Sequence, residues 1–121
     1  MLAYKAFGAG MPGLLLDSMA RDVADTLTAT GTLQSDAYEC TFAINSFSTV
    51  ASGTGAVLDS EARKGDTQLI YNGGANALKV YPPSGAAING LATNGGMLLA
   101  IRTACQFTCI STTQWTGVLS A

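Results

Sequence analysis

The sequence predicts an all-β domain, a small β-sandwich or jelly-roll-like barrel, preceded by an extended or helical N-terminal arm. Three observations carry this. From residue 28 onward Thr, Val, Ile, Phe and Tyr displace the helix formers. Clusters of Gly, Asn, Ser and Pro recur at short spacing between the apolar runs. No βαβ rhythm and no long internal repeat is present, which disfavours a parallel α/β sheet.

The arm comes first, over residues 1–27, with the β domain over 28–121. MLAYKAFGAGMPG is apolar, punctuated by glycine and aperiodic. LLLDSMARDVADTL then places Leu16, Met19, Ala20, Val23 and Leu27 at helical spacing. A short amphipathic helix over about 14–25 and an arm that orders only on a partner are both open readings, because Gly10, Pro12 and Gly13 give no firm start signal.

The strands follow in order. ECTFAI (39–44) alternates, FSTVA (47–51) follows, SGTG (52–55) turns and GAVLD (55–59) continues. SEARKGD (60–66) is the one charged connection and reads as a helical turn stopped by Gly65. TQLIYN (67–72) puts Leu69 and Tyr71 on one face and Ile70 on the other. NGGAN (72–76) reads as a hairpin turn, from which ALKVY (77–81) pairs back. GMLLAIRT (96–103), QFTCIS (106–111) and QWTGVL (114–119) complete about eight short strands.

VYPPSGAAING (80–90) looks at first like a phosphate loop. A Walker loop needs Lys-Ser/Thr after its last glycine, and a dinucleotide fingerprint needs a helix to follow. Neither is present, so the stretch reads as a strand stop. Pro82 and Pro83 lack N–H groups and end the ladder. Ser84-Gly85 reverses the chain, Ile88 plugs into the core and Asn89-Gly90 turns it again.

Composition excludes much chemistry. The chain has 121 residues and no histidine, so neither a Ser-His-Asp triad nor a Cys-His pair can form. All eight acids lie between Asp17 and Asp66. Carboxylate pairs could come only from Asp22/Asp25 or Asp59/Glu61/Asp66, where solvated surface is the first reading and a hydrolytic pair the second. Cys40, Cys105 and Cys109 lack CxxC spacing. Cys105 and Cys109 would share a strand face roughly 13 Å apart, too far for a bridge. Small buried hydrophobes in a reducing compartment are the first reading, and a bridge from Cys40 the second. The expectation is therefore no catalytic residue, no cofactor and no metal.

Charged residues are only 12% of the chain, against about 25% in ordinary soluble domains. Such a surface fits an assembly protein. A net charge of -2 argues against a nucleic-acid partner. MPGLLL is too short to span a membrane or to serve as a signal, so synthesis in the cytoplasm is expected. Trp115 reads as core first and as a sugar stacker second, with Tyr81 beside it. Arg63-Lys64 reads as a solvated loop, or as a contact to an acidic partner.

One series of residues goes further. Leu58, Gly65-Asp66, Asn72 to Asn76, Val80 to Pro82, Gly85 to Gly90 and Thr113 to Trp115 follow a recurrent order. Together with the run TLQSDAYECTFAINSFSTVASGTG they resemble, over about residues 30–119, small β-rich structural proteins of tailed bacteriophages, of the capsid decoration (cement) type. The pattern departs at Asp59, where proline is expected after the leucine. The fold-defining positions would be Gly65, Asp66, Asn72, Pro82, Pro83, Gly85, Ile88, Asn89, Gly90 and Trp115. The resemblance implies a non-enzymatic homotrimer on the outer capsid face of the virion, bound to the major capsid protein. The arm would then reach across coat subunits through Tyr4, Lys5, Phe7, Met11, Leu14, Leu15 and Leu16. A head, neck or tail fibre module, or a glycan-binding attachment module, are the alternatives.

Overall fold

The computed structural model describes residues 22–120. The strand β5 (Thr67–Asn72) shows how the sequence sets the fold. Gln68, Ile70 and Asn72 are buried, and Thr67, Leu69 and Tyr71 lie on the opposite face. This period of two recurs in β3 (Ile44–Thr49), where Asn45 and Phe47 are buried. It recurs in β9 (Thr103–Ser111), where Cys105, Phe107 and Cys109 are.

The remaining strands are β1 (Val23–Thr28), β2 (Tyr38–Glu39), β4 (Gly55–Val57), β6 (Leu78–Tyr81), β7 (Ala87–Ile88), β8 (Met97–Leu99) and β10 (Gln114–Leu119). They form two sheets. The first has the order β1-β3-β5-β9-β10-β7 and the second β2-β4-β6-β8. A 3-10 turn at Gln34–Asp36 precedes β2. The all-β class is therefore observed, but the wiring differs from the expected sandwich or jelly roll. The first six strands alternate between the sheets, and β1, β3 and β5, like β2, β4 and β6, are mutually parallel. The chain winds as a short solenoid, each circuit laying one strand in each sheet. Only then do β8, β9 and β10 add antiparallel pairs, with β7 parallel to β10 at the far edge.

The corners explain the difference. NGGAN does not make a hairpin, because β5 and β6 lie in different sheets. The Asn72 amide holds the corner: its Nδ2 donates to the carbonyls of Asn76 (2.8 Å) and Leu99 (2.9 Å), and its Oδ1 accepts from Gly74 N (3.0 Å). A Cβ on Gly74 would lie 2.7 Å from Val50, so the corner is also pressed onto the core. ECTFAI is likewise a corner. Strand structure stops at Glu39 and resumes at Ile44. SEARKGD makes two tight turns, closed by Ala62 N to Asp59 O and Asp66 N to Arg63 O, rather than a helical turn. GMLLAIRT breaks at 100–102, where Arg102 takes a positive φ of 62° between β8 and β9.

The core fills the space between the sheets. Phe47, Ile70, Ile88 and Phe107 from the first sheet meet Leu78, Val80 and Leu99 from the second, with Leu58 from the connection after β4. Tyr38 stands edge-on to Phe47 at 5.7 Å between ring centroids. Cys40, Cys105 and Cys109 are free, buried thiols. Of the helix or arm expected near 14–25, residues 14–21 lie outside the described residues, and Val23 onward is strand.

Candidate functional site

The outer face of the first sheet is the feature that the core does not explain. Register places Val23 of β1 opposite Ile44 of β3, Ile44 opposite Leu69 of β5, Leu69 opposite Gln106 of β9, and Gln106 opposite Val118 of β10. One row therefore crosses five strands, four of its five members apolar. Much of it is left to water: Val23 is 45% exposed, Ile44 38% and Val118 71%, while Leu69 is half-buried. Tyr71, 37% exposed, flanks the row beside Ser46 and Ala104. On the other side Thr67, Thr108 and Thr116 form a parallel row of hydroxyls. None of these positions carries a charge. The second sheet, by contrast, turns Glu39 and Lys79 outward.

The expected fold-defining residues serve the scaffold. Gly65 N donates to Cys109 O and Cys109 N to Asp66 O, which docks the charged connection on β9. The Asp66 carboxylate accepts from Arg63 N at 2.9 Å. Pro82 is buried, and its carbonyl accepts from Gln34 Nε2 at 2.7 Å. Pro83 O accepts from Ala86 N, closing a turn with Gly85 at a φ of 89°. Asn94 clips that turn, its Oδ1 accepting from Gly85 N at 2.7 Å. Ile88 is fully buried, and Asn89 and Gly90 both take positive φ.

The remaining candidates for chemistry are accounted for by structure. A cleft of about 560 Å³ gathers Asp22, Asp59 and Asp66 along one side of the molecule. Each of those carboxylates already accepts a backbone N–H, from Ala43, Glu61 and Arg63 respectively. Among the described residues no group of three or more His, Cys, Asp or Glu is placed to hold a metal. The thiols are poor nucleophiles. Burial, with Glu39 and Asp59 adding to it, pushes Cys40 up to about 12. Burial also lifts Cys105 to about 11 and raises Cys109.

Sugar stacking by Trp115 and Tyr81 is corrected. Trp115 is 2% and Tyr81 6% exposed, so neither offers a ring face to a ligand. Arg63 and Lys64 are exposed loop residues, which both of their readings require. The arm residues Tyr4, Lys5, Phe7, Met11, Leu14, Leu15 and Leu16 lie outside the described residues. The outer row is not legible in the sequence because its members come from five strands spread over residues 23–119. Local alternation in 67–71 was its only visible signal. No family model and no curated protein matches the chain.

Proposed function

We propose that the protein is a non-enzymatic virion structural protein, a capsid decoration protein of a tailed phage that binds the outer head surface. The observation that carries this reading is the apolar row of Val23, Ile44, Leu69 and Val118 on the outer face of the first sheet, whose strands hold a single charged residue, Asp25, set on a scaffold in which the buried amides of Gln68 and Asn72 hold corners. Such a face gains from association and offers nothing for a reaction. The phage-type pattern of turn and core residues gives the partner its class, a coat protein.

In this reading the two sheets are a rigid body, and the segment preceding β1 supplies an arm. Association into a closed trimer and contact with coat subunits both remove apolar surface from water, at about 25 cal/mol per Å². The shell is then held by added contacts between subunits. Parallel circuits with an open edge at β1 favour one second reading, a fibre, neck or tail module of the same virion.

The test is binding to expanded capsids of the parent phage, measured by co-sedimentation. Protein lacking residues 1–13 is expected to keep its circular dichroism and thermal melt but to lose binding. Full binding by the truncated protein would sink the arm mechanism. Density at a neck or tail site in images of the intact particle, with none on the head, would replace decoration by the second reading.

A further inference from the structure

The outer face of the second sheet carries a groove of about 230 Å³, apart from the acidic cleft. Register sets its axis: Glu39 of β2 pairs with Val57 of β4, and Val57 with Tyr81 of β6. Ala56 and Val80, one residue earlier in β4 and β6, point into the core, so this row points out. The 3-10 turn brings Gln34 and Ser35 to one bank, and the stop after β6 brings Pro83 and Ser84 to another. The banks are tied together, since Gln34 Nε2 donates to Pro82 O at 2.7 Å and to Asn94 Oδ1 at 3.2 Å. The groove is therefore formed before anything enters it.

Its polar groups are only partly committed. Glu39 Oε2 accepts from Ser60 N at 3.2 Å and from Ser60 Oγ at 2.8 Å, which fixes the carboxylate. Glu39 Oε1, Gln34 Oε1 and the hydroxyls of Ser35 and Ser84 have no partner among the described residues. Val57 and Pro83, both half-buried, give the groove an apolar floor with fully buried Leu58.

That set selects a ligand class. Open acceptors and hydroxyls around an aliphatic floor suit a ring with hydroxyls on its rim and C–H bonds on its face. Among the described residues no Lys or Arg lines the groove, so a phosphate or carboxylate ligand would meet Glu39 without a counter-charge. The volume lies below the roughly 300–1,000 Å³ of pockets for drug-sized ligands, which leaves room for a single ring.

We propose that this groove binds one neutral pyranose ring of a saccharide. Glu39 Oε1 accepts from a ring hydroxyl, Ser35 and Ser84 bond the rim, and the C–H face rests on Val57 and Pro83. The buried rings of Trp115 and Tyr81 take no part. The outer faces of the two sheets look opposite ways across the core, so a chain seated by the apolar row of the first sheet still presents the groove to solvent. The site does not depend on what covers that row, and its test uses the isolated full-length chain.

Isotope-labelled protein is titrated with D-glucose, D-galactose, D-mannose and L-rhamnose while its backbone amide NMR signals are followed. At least one sugar is expected to move the amides of Ser35, Glu39, Ser60 and Ser84 together, saturating with a Kd on the order of 1–10 mM, weak because no aromatic ring takes part. Glu39→Gln replaces an ionised acceptor by a neutral one and should weaken binding about tenfold. Ser84→Ala removes one hydroxyl and should weaken it about threefold or more. Ser84 is exposed and holds no bond within the fold, so this variant reports even if Glu39→Gln melts early. Glu61→Gln, an exposed acid outside the groove, is the control and should bind as the unmodified chain does. No saturating movement of these amides with any of the four sugars overturns the proposal. Unchanged binding in both groove variants does the same. Saturation by methylammonium or inorganic phosphate, with none by the sugars, assigns the groove to an ion and overturns it too.

Discussion

The side-chain amide of Asn89 pairs with the backbone of Gly117 from both sides. Nδ2 donates to Gly117 O at 3.1 Å, and Oδ1 accepts from Gly117 N at 2.9 Å. Strand β7 is only two residues long, and its backbone reaches β10 through Ala87 N to Thr113 O and Asn89 N to Trp115 O. The amide acts as one further rung, locking Ile88 beside Trp115. Asn89 sits at a φ of 51°, a left-handed conformation in which asparagine is among the few tolerated side chains.

Asn89→Ala removes both bonds and keeps the left-handed cost, so a loss of about 2 kcal/mol is expected. For a domain of this size that lowers Tm by roughly 8 °C. Asn89→Gly loses the same bonds but relieves the backbone, and its Tm should fall between alanine and the unmodified chain. Thermal melts of the three proteins decide it; alanine and glycine variants melting together would show that the backbone conformation contributes nothing.

Gly117 is constrained from its other side. A Cβ there would stand 2.9 Å from Cys105 Sγ and 3.1 Å from Phe107 Cε1. Gly117→Ala is expected to cost about 1–3 kcal/mol through overpacking, seen as a lower urea midpoint. Adding Cys105→Ala removes the nearest atom and should restore part of that loss. A double variant whose loss is the sum of the two singles would place the strain elsewhere.

Gln68 joins two corners of the solenoid. Its Nε2 donates to Cys40 O (2.8 Å) and Phe42 O (3.0 Å), and its Oε1 accepts from Asp59 N (2.9 Å). Proline, expected at 59 from the phage pattern, has no N–H to give. Asp59→Pro should therefore cost about 1–3 kcal/mol by orphaning a buried acceptor. Gln68→Leu strands Cys40 O and Asp59 N, while Phe42 O keeps its bond from Asn45 Nδ2 (2.7 Å), and should cost about 2 kcal/mol or more. The double variant should fall short of the sum, since both singles break the same bond. A double-mutant cycle in urea checks this, and strict additivity would mean that the Asp59–Gln68 bond carries no stability.

These residues also show what a sequence can disclose. Strand 67–72 and the stops at Pro82-Pro83 are legible because alternation and proline act within a few residues. The solenoid is not, because Asn-Gly-Gly serves a hairpin and a corner equally well. Only the distant carbonyl of Leu99 distinguishes them at Asn72. Pairing between strands hides the candidate site in the same way: Val23, Ile44 and Leu69 become neighbours through parallel register, and Val118 joins their row through Gln106 by antiparallel register. Trp115 illustrates the opposite case, since a lone indole after a turn fits both core and ligand until its burial is seen.

Stability should fall at alkaline pH through the buried thiols. Burial lifts Cys40 from 9.0 to about 12 and Cys105 from 9.0 to about 11. Once pH passes 9 the unfolded chain releases thiol protons that the folded chain retains, so rising pH favours unfolding. The contribution of the neutral thiols is complete below about 9 and drains away as pH climbs toward 12. Cys40→Ala deletes the larger share of this dependence. Its urea midpoint should be lower at pH 7, from the lost packing, yet decline less steeply between pH 9 and 11 than that of the unmodified chain. The two proteins differ only at position 40, so the difference in slope isolates the thiol. Parallel slopes would mean that Cys40 is solvated before the chain unfolds.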